Sequence, residues 1–466
     1  MFARVVPKLT DVKSVAGMLK SIFTQPILTL LISFLLSSFA HGNQAEEYCS
    51  PIIVATDIQG ADIDSYDINK DGILDLLVSD PSSPPDGKFF WVCGETGEII
   101  AVHQDTQLFL FDIKAVDFDN DGDPDVAAAF TIQEGSQNAY LAIYEMVDGS
   151  PIRYKRHQLK MNGGIIAEMA ILDIDDDGDA DIASVSQTGQ VAIYQNISDS
   201  SAQGKFIFSQ VILDANYFSG FSIDTTDMDG DNKIDIIVSG AVNGDINLYT
   251  NRSSADGLQF TESVLVNVGS RAQAIRSGDV DEDGNIDLVV LKGSLVQVYL
   301  NNINSFELAW SSATNGSPVN MALAGLGKGG ALDIVVADIL PGTTPAESRG
   351  IYTYKNLSEP GRADFLLEFP PFVQSGFGNV YALDTNSNGV VDIIATSTTF
   401  PGTHILKARS ECSGDCDLSN SVDFRDLVCQ LFLFGSSDCN SDCDRSGIVD
   451  FSDLVCTLFN YGCSVE

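Results

Sequence analysis

Asp117-Phe118-Asp119-Asn120-Asp121-Gly122-Asp123-Pro124-Asp125 is one of six copies of an acidic nine-residue loop in this 466-residue chain. The copies begin at Asp67, Asp117, Asp173, Asp227, Asp279 and Asp384, and a seventh copy, which lacks most of the acids, begins at Gly325. Successive starts lie 50, 56, 54, 52, 46 and 59 residues apart. Such a period predicts a repeat fold in which each copy belongs to one supersecondary unit.

The loop has the ligand pattern of a hard-cation site. Positions 1, 3, 5 and 9 carry short oxygen-bearing side chains, and position 7 offers its backbone carbonyl. Because no His or Cys is among the ligands and the oxygens are numerous, the pattern favours Ca²⁺ over Zn²⁺, Cu²⁺ or Mg²⁺. The expected calcium ligands are Asp67, Asn69, Asp71, Ile73 and Asp75; Asp117, Asp119, Asp121, Asp123 and Asp125; Asp173, Asp175, Asp177, Asp179 and Asp181; Asp227, Asp229, Asp231, Lys233 and Asp235; Asp279, Asp281, Asp283, Asn285 and Asp287; and Asp384, Asn386, Asn388, Val390 and Asp392.

A glycine at position 6, such as Gly72 or Gly122, permits the positive φ that turns the chain around an ion. In the fourth copy the glycine is shifted by two residues, to Gly230. The copy from Gly325 keeps only Gly330 and Asp333 of the motif. We therefore predict that this copy keeps its turn and loses its metal.

Each loop leads directly into a short apolar run, as at residues 76–78 and 236–238. Runs without alternation predict strands that are buried on both faces. A second recurring segment, seen at residues 191–194, 246–249 and 296–299, alternates and predicts a more exposed strand. Four short strands in about fifty residues are typical of one propeller blade, so seven copies predict seven blades.

The acidic loops, the apolar strands and four Tyr-x-Asn turns together resemble FG-GAP/VCBS repeats, as in the integrin α-subunit propeller. The turns are Tyr194–Asn196, Tyr249–Asn251, Tyr299–Asn301 and Tyr354–Asn356. The resemblance implies an all-β, seven-bladed, calcium-binding β-propeller over residues 49–409. Such propellers serve adhesion receptors, lectins and accessory domains of enzymes.

Four asparagines, Asn196, Asn251, Asn315 and Asn356, begin Asn-x-Ser sequons. Three of them are the asparagines of the Tyr-x-Asn turns, so we interpret these as turn residues instead of glycosylation sites.

Residues 410–466 form a second, Cys- and Asp-rich region that repeats itself at an offset of 27. Each half is a twelve-position loop followed by an apolar helix, and the pair resembles a small α dockerin-like domain. The resemblance implies two calcium sites and a cohesin-like partner; the alternative is a cap stabilised by calcium and disulfides. The implied ligands are Asp415, Asp417, Ser419, Ser421, Asp423 and Asp426 in the first half and Asp442, Asp444, Ser446, Ile448, Asp450 and Asp453 in the second.

The chain is strongly acidic, with 65 Asp and Glu against 25 Lys and Arg and a formal net charge of −40. Such a surface repels phosphates, which argues against nucleic acid and anionic membranes as partners.

Residues 1–40 have four basic residues, an apolar run and a Ser-Phe-Ala end, which predicts a secretory signal cleaved after Ala40. The alternative is a retained membrane anchor, although the run is shorter than a span requires. No later stretch is long enough to cross a bilayer. Nine cysteines agree with an oxidising, extracellular compartment, and Cys49 and Cys93 stand apart as a candidate disulfide.

Catalytic motifs are few: the four histidines are isolated, and the carboxylates are concentrated in the loops. We therefore expect a secreted, non-enzymatic binding or adhesion protein whose propeller recognises an extracellular protein or glycan and whose tail mediates attachment. The alternative is an extracellular polysaccharide-active protein, either a lectin or a calcium-dependent lyase.

Overall fold

The computed structural model describes residues 52–54, 62–80, 86–94, 97–106, 109–132, 139–149, 151–159, 164–198, 206–214, 220–240, 243–254, 257–303, 305–314, 316–326, 330–338, 350–368, 377–385, 389–397 and 403–406. All belong to one compact unit, residues 47–466. The predicted signal segment, Cys49 and the predicted dockerin-like tail lie outside the described residues. Within them the regular structure is entirely β, and no helix could span a membrane.

The described strands form seven four-stranded antiparallel sheets, one for each copy of the loop. Sheets 1 to 3 contain β2 (Ile63–Tyr66), β3 (Asp75–Asp80), β4 (Asp86–Val92) and β5 (Ile99–Thr106); β6 (Phe109–Val116), β7 (Asp125–Thr131), β8 (Ala139–Gly149) and β9 (Ile152–Leu159); and β10 (Ile166–Leu172), β11 (Asp181–Ser186), β12 (Val191–Asn196) and β13 (Phe208–Asp214). Sheets 4 and 5 contain β14 (Gly220–Thr226), β15 (Asp235–Gly240), β16 (Asp245–Asn251) and β17 (Phe260–Asn267); and β18 (Ala274–Gly278), β19 (Asp287–Lys292), β20 (Leu295–Asn301) and β21 (Phe306–Ala313). Sheets 6 and 7 contain β22 (Pro318–Ala324), β23 (Asp333–Asp338), β24 (Ile351–Asn356) and β25 (Phe365–Glu368); and β26 (Phe377–Leu383), β27 (Asp392–Ser397), β28 (Thr403–Leu406) and β1 (Ile52–Val54).

The first strands of successive sheets lie side by side in a closed cycle. β2 contacts β6, β6 contacts β10, and the series continues through β14, β18, β22 and β26 back to β2. The seventh sheet takes its outer strand from the other end of the chain, since β1 pairs antiparallel with β28. This propeller-like arrangement places seven repeats around a common centre.

The hydrophobic core lies between neighbouring sheets. One cluster, for example, joins Leu77 and Trp91 of sheet 1 to Val126 and Ala128 of sheet 2. The second strand of each sheet is packed on both faces, and β7 and β15 are buried along their whole length. The apolar runs after the loops therefore form the doubly buried strands that the sequence predicted.

The third strands are buried too, which makes the prediction of a more exposed strand wrong. β12, β16 and β20 are buried at nearly every position. Their polar residues form bonds within the sheet, where Asn247 Nδ2, for example, donates to Glu262 of the fourth strand at 2.7 Å. The fourth strands, such as β17 and β21, carry the exposed positions instead.

Candidate metal sites and the central cavity

Each acidic loop joins the first strand of a sheet to the second, and it closes on itself through its first aspartate. Asp117 accepts the Asp121 N–H on Oδ1 at 3.1 Å and the Gly122 N–H on Oδ2 at 2.8 Å. The position-5 carboxylate in turn accepts the N–H of position 7, at 2.9 Å between Asp121 and Asp123. The first-position bonds recur at Asp67, Asp173, Asp227 and Asp279, and the bond to position 6 recurs at Asp384.

Two positions in the loop, not one, adopt a left-handed backbone. Besides the glycines at position 6, position 4 has positive φ, for example 60° at Lys70 and 59° at Glu282. In the fourth loop Gly230 occupies position 4, and Asn232 occupies position 6 with φ 66°. The backbone of that loop is therefore unchanged, although its glycine is at position 4 instead of position 6. Asparagine at position 6 adopts this left-handed conformation more readily than other side chains.

The aspartate at position 9 clamps two backbone segments together. Asp181 Oδ2 accepts the Ile174 N–H of the loop at 2.9 Å, and Oδ1 accepts the Asn196 N–H at the end of the third strand. The same pair of bonds recurs at Asp125, Asp235, Asp287 and Asp333. This clamp explains why Asp333 persists in a loop whose other acids are gone.

Four consecutive loops bring three carboxylates together. Their ligand oxygens lie within 4.8 Å of one another in the groups Asp117, Asp119 and Asp125; Asp173, Asp175 and Asp181; Asp227, Asp229 and Asp235; and Asp279, Asp281 and Asp287. These are loop positions 1, 3 and 9. Each group can bind a metal ion.

Buried oxygens without a partner support a cation at these loops. Asp119 Oδ1 and Asp175 Oδ1 are both buried and have no hydrogen-bond partner. Burying a carboxylate oxygen in this way costs free energy unless a cation binds it. Every side chain in the four groups is a hard oxygen donor, so the residues present fit Ca²⁺.

Burial and crowding raise the pKa values of the clamp aspartates. Burial is the main cause, and neighbouring loop carboxylates add to it. The pKa of Asp125 rises to about 8, that of Asp181 to about 7, and those of Asp235 and Asp287 to about 6. A bound cation would oppose these shifts, because it favours the ionised carboxylates.

The position-5 acids, for example Asp121 and Asp177, lie at the exposed side of their loops and outside the three-acid groups. In the first loop an asparagine, Asn69, holds position 3, and it accepts the Asp71 N–H at 2.9 Å. The Oδ2 atom of its clamp residue Asp75 is buried without a partner.

In the last acidic loop Asn386 and Asn388 lie outside the described residues. In the 325–333 copy residues 327–329 lie outside the described residues, and Gly330 at position 6 has the positive φ of the other loops, 74°. Its described residues contain no three-acid group.

The turn asparagines have a structural role that also bears on the sequons. Asn196, Asn251 and Asn356 are 0%, 1% and 8% exposed. Each donates its Nδ2 to the position-2 carbonyl of a preceding loop, as from Asn251 to Ile174 O at 2.9 Å. A glycan on this nitrogen would break the bond and would not fit. Asn315 lies outside the described residues. Cys93 carries a free thiol, and Cys49, the other half of the candidate disulfide, lies outside the described residues.

A cavity of about 810 Å³ occupies the centre of the ring. It is lined by the first strands of all seven sheets, and in every sheet the residues three and five positions before the loop contribute to it. These are Asp62, Asp112, Glu168, Ser222, Ala274, Asn320 and Asn379 at five, and Asp64, Lys114, Ala170, Asp224, Arg276, Ala322 and Tyr381 at three. Our sequence reasoning missed these residues, although their fixed distance from each loop is a usable signal.

The polar residues of the cavity join neighbouring sheets. Asp62 accepts the Ile113 N–H at 2.9 Å, and Glu168 accepts the Ile223 N–H at 2.9 Å. Lys114 Nζ lies 2.6 Å from Asp112 and 3.3 Å from Asp62.

Arg276 bridges four sheets around the cavity. Its guanidinium bonds Ser222 of sheet 4 at 3.2 Å, Glu168 of sheet 3 at 3.1 Å and Asn320 of sheet 6 at 3.2 Å. Asn320 and Asn379 continue the series of side-chain bonds to Asp62 of sheet 1. In sheet 5 the residue five positions before the loop is the apolar Ala274, so Arg276 makes the bonds to the neighbouring sheets there.

Comparison with known proteins identifies the repeat. A family model described as "FG-GAP-like repeat" matches residues 117–184, 173–238 and 227–290. Residues 117–290 thus contain three FG-GAP-like repeats. The matched residues include all four three-carboxylate groups. No curated protein matches the chain.

Among solved structures, the chain is similar to one from "Crystal structure of BBS1N in complex with ARL6DN, soaked with mercury". The TM-score is 0.49 at 12% sequence identity, and the match covers 78% of this chain and 97% of that chain.

Proposed function

We propose that residues 49–409 form a seven-bladed, calcium-stabilised β-propeller in a secreted protein, and that this propeller is a non-enzymatic binding or adhesion module. The seven sheets and the closed cycle of their first strands support the architecture. Asp117, Asp173, Asp227 and Asp279 begin the loops that would hold calcium most completely. Calcium supplies charge neutralisation there, and the loop residues hold the strand connections in place.

One observation carries the non-enzymatic assignment. The charged groups around the cavity are bonded to each other and to backbone N–H groups of the next sheet, as in Asp62, Glu168 and Lys114. A general acid or base must exchange its proton with a substrate, so it needs a position from which it reaches that substrate. Because these charged groups already bond neighbouring sheets, we assign them the role of positioning the sheets instead of exchanging protons with a substrate.

The partner we propose for the propeller is an extracellular protein or glycan. For residues 410–466 we propose a dockerin-like domain with two calcium sites that attaches the protein to a cohesin-like partner. The excess of acidic residues supports calcium dependence of both regions, because bound calcium lowers their mutual repulsion.

A second candidate function, a polysaccharide-binding or polysaccharide-cleaving protein, is favoured by the cavity. Its volume is in the range of small-molecule sites. It offers carboxylate acceptors and the Arg276 guanidinium, and Phe111 and Phe221 line it as well. Such a mixture suits the hydroxyl groups and apolar faces of a sugar.

The test uses residues 41–466, immobilised and exposed to a panel of neutral and acidic polysaccharides and to a purified cohesin module, in calcium and in chelator. Calcium-dependent binding without cleavage supports the binding module. Cleavage that chelation abolishes would replace it with a lyase.

Two variants separate the regions in the same experiment. Asp173→Ala removes a propeller ligand, and a double change of Asp415→Ala and Asp442→Ala removes the first ligand of each tail loop. We expect the tail variant to lose the cohesin module and keep polysaccharide binding. Capture of the cohesin module by the tail variant would contradict the dockerin-like assignment.

A further inference from the structure

The loop of sheet 4 differs from the other three-carboxylate loops because an arginine of the chain pairs with two of its ligand carboxylates, whereas the ion pair of the sheet 2 loop, from Lys70 to Asp123, involves position 7 only. Arg252 Nη2 lies 2.7 Å from Asp229 Oδ2, and Nη1 lies 2.8 Å from Asp231 Oδ2. The guanidinium therefore bridges positions 3 and 5 of one loop, both of them predicted calcium ligands.

Arg252 occupies a position that recurs in the repeats. It directly follows the asparagine of the Tyr-x-Asn turn, where the other three copies have Ile197, Asn302 and Leu357. None of these three is charged. The Tyr-x-Asn asparagine is held by the clamp aspartate of its own loop, so the residue after it is always delivered close to that loop.

A second cation lies in the same loop. Position 7 is Lys233, where sheets 2 and 3 have Asp123 and Asp179. The Lys233 ammonium bonds the Ser253 carbonyl, next to Arg252 in the chain. Four carboxylates with two cations leave the sheet 4 site with a net charge of −2, whereas the loops of sheets 2, 3 and 5 are more negative.

We infer that Arg252 competes with Ca²⁺ for Asp229 and Asp231, so that the sheet 4 loop is the weakest of the four three-carboxylate sites and fills last. This inference rests on the proposed calcium role of the loops. Calcium affinity in oxygen-ligand loops follows the charge of the ligand set, and an arginine always carries its charge. The two guanidinium bonds must also be broken before both carboxylates turn fully to a metal ion.

The competition is graded, because the groups are partly exposed. The side chain of Arg252 is 49% exposed and those of its partners are 31% and 33% exposed. Solvent screens such a contact, so the guanidinium weakens the site without closing it. Salt should reduce the competition further.

The experiment is calorimetric titration of calcium into chelator-stripped residues 41–466, for the wild type, Arg252→Gln and Ile197→Arg. Arg252→Gln removes the charge and keeps a shorter, polar side chain. Ile197→Arg places an arginine beside the sheet 3 loop at a position that is 51% exposed, so no core packing is lost. The tail sites are the same in all three proteins and cancel in the comparison.

We expect Arg252→Gln to tighten one site by roughly five- to tenfold without changing the number of sites. Ile197→Arg should weaken one site by a similar factor. Both differences should shrink at high salt, a response that a purely structural role of Arg252 would not produce. Adding Asp227→Ala to Arg252→Gln should remove the tightened site, which assigns it to the sheet 4 loop.

Two results would overturn the inference while leaving the calcium role intact: unchanged affinities in Arg252→Gln, or weaker binding, which would make Arg252 a support of the ligands. Absence of any calcium binding by the wild type would overturn the proposed calcium role and this inference together. Melting curves in excess calcium confirm that each variant is folded.

Discussion

The aspartate at loop position 9 combines two roles that the seven copies allow us to separate. In four loops it joins a three-carboxylate group and also holds two backbone N–H groups. In the 325–333 loop only the clamp remains, with Asp333 accepting the Leu326 N–H at 3.0 Å and the Asn356 N–H at 2.6 Å. The clamp is therefore independent of metal.

The first prediction concerns this clamp. Asp333→Ala should lower the free energy of unfolding by about 2–4 kcal/mol, because two backbone donors lose a charged acceptor. Chemical denaturation in calcium and in chelator should give the same loss, since the loop has lost its metal ligands. Asp125→Ala is the matched control and should cost more in calcium than in chelator. A calcium-dependent loss at Asp333 would contradict a metal-free clamp.

The second prediction concerns pH. In the absence of calcium, the raised pKa values of Asp125, Asp181, Asp235 and Asp287 mean that the folded chain binds protons more tightly than the unfolded chain, whose aspartates titrate near 3.8. The stability from these protons is complete below about pH 4 and is lost as pH rises through 6 to 8. The melting temperature in chelator should therefore rise when pH is lowered from 8 to 5.

Saturating calcium is the control for that experiment, because it should remove or reverse the trend as protons compete with the metal. A melting temperature in chelator that falls steadily from pH 8 to 5 would show that the clamp aspartates are not the dominant titrating groups.

Residue spacing predicted the clusters of acids in the loops but not the cavity. The acids at positions 1 and 9 are fixed by hydrogen bonds to the backbone of their own loop, which depend on local sequence. Asp62, Lys114 and Arg276 are far apart in sequence, and their bonds exist only because the first strands meet around one centre. The sequence around each of these residues does not show that the strands come together.

At the scale of the element, the loop is conserved in conformation even where its residues differ. Position 4 is left-handed whether it is Lys70, Asp176, Gly230 or Glu282. Five of the six acidic copies have glycine at position 6 and only one, Gly230, has it at position 4, so the left-handed backbone at position 4 of the other copies does not follow from the glycine pattern. The cost of a non-glycine residue there is borne by the clamp and the first-position bonds.

The third prediction uses this strain. Glu282 is exposed and has φ 59°. Glu282→Gly should be about 1 kcal/mol more stable than Glu282→Ala, because both variants remove the same charge and only glycine adopts this φ freely. Denaturant midpoints in saturating calcium measure the difference. Equal stabilities, or a more stable alanine variant, would contradict a strained position 4.

The burial of the second strands could be predicted from sequence, whereas the burial of the third strands could not. β7 and β15 follow loops and contain unbroken apolar runs, residues 126–130 and 236–238, so burial on both faces could be predicted. β12 and β16 alternate, which normally indicates one solvated face. In these sheets both faces of the third strand pack against neighbours, and the polar residues bond there instead of to water.

At the scale of the whole molecule, the ring is closed by strands from both ends of the repeat region. β1 completes the sheet of β26, β27 and β28, so the last repeat depends on residues before the first loop. The sequence predicted seven repeats but not this exchange, since β1 is only three residues long and precedes the first motif. The closure couples the two ends of the region in one sheet.

The charge of −40 acts on the same scale. The four three-carboxylate groups gather like charges at the connection between the first two strands of sheets 2 to 5. Without a cation the carboxylates of each group repel one another, whereas calcium that bound only the folded loops would stabilise the fold by mass action.

The most direct test of the central claim, that calcium holds the loops of a closed ring of sheets, is the thermal unfolding of residues 41–466 in saturating calcium and in excess chelator at pH 8. We predict a sharp fall in melting temperature in chelator that added calcium reverses. An identical melting curve in both conditions would contradict a structural role for calcium in the seven-sheet ring.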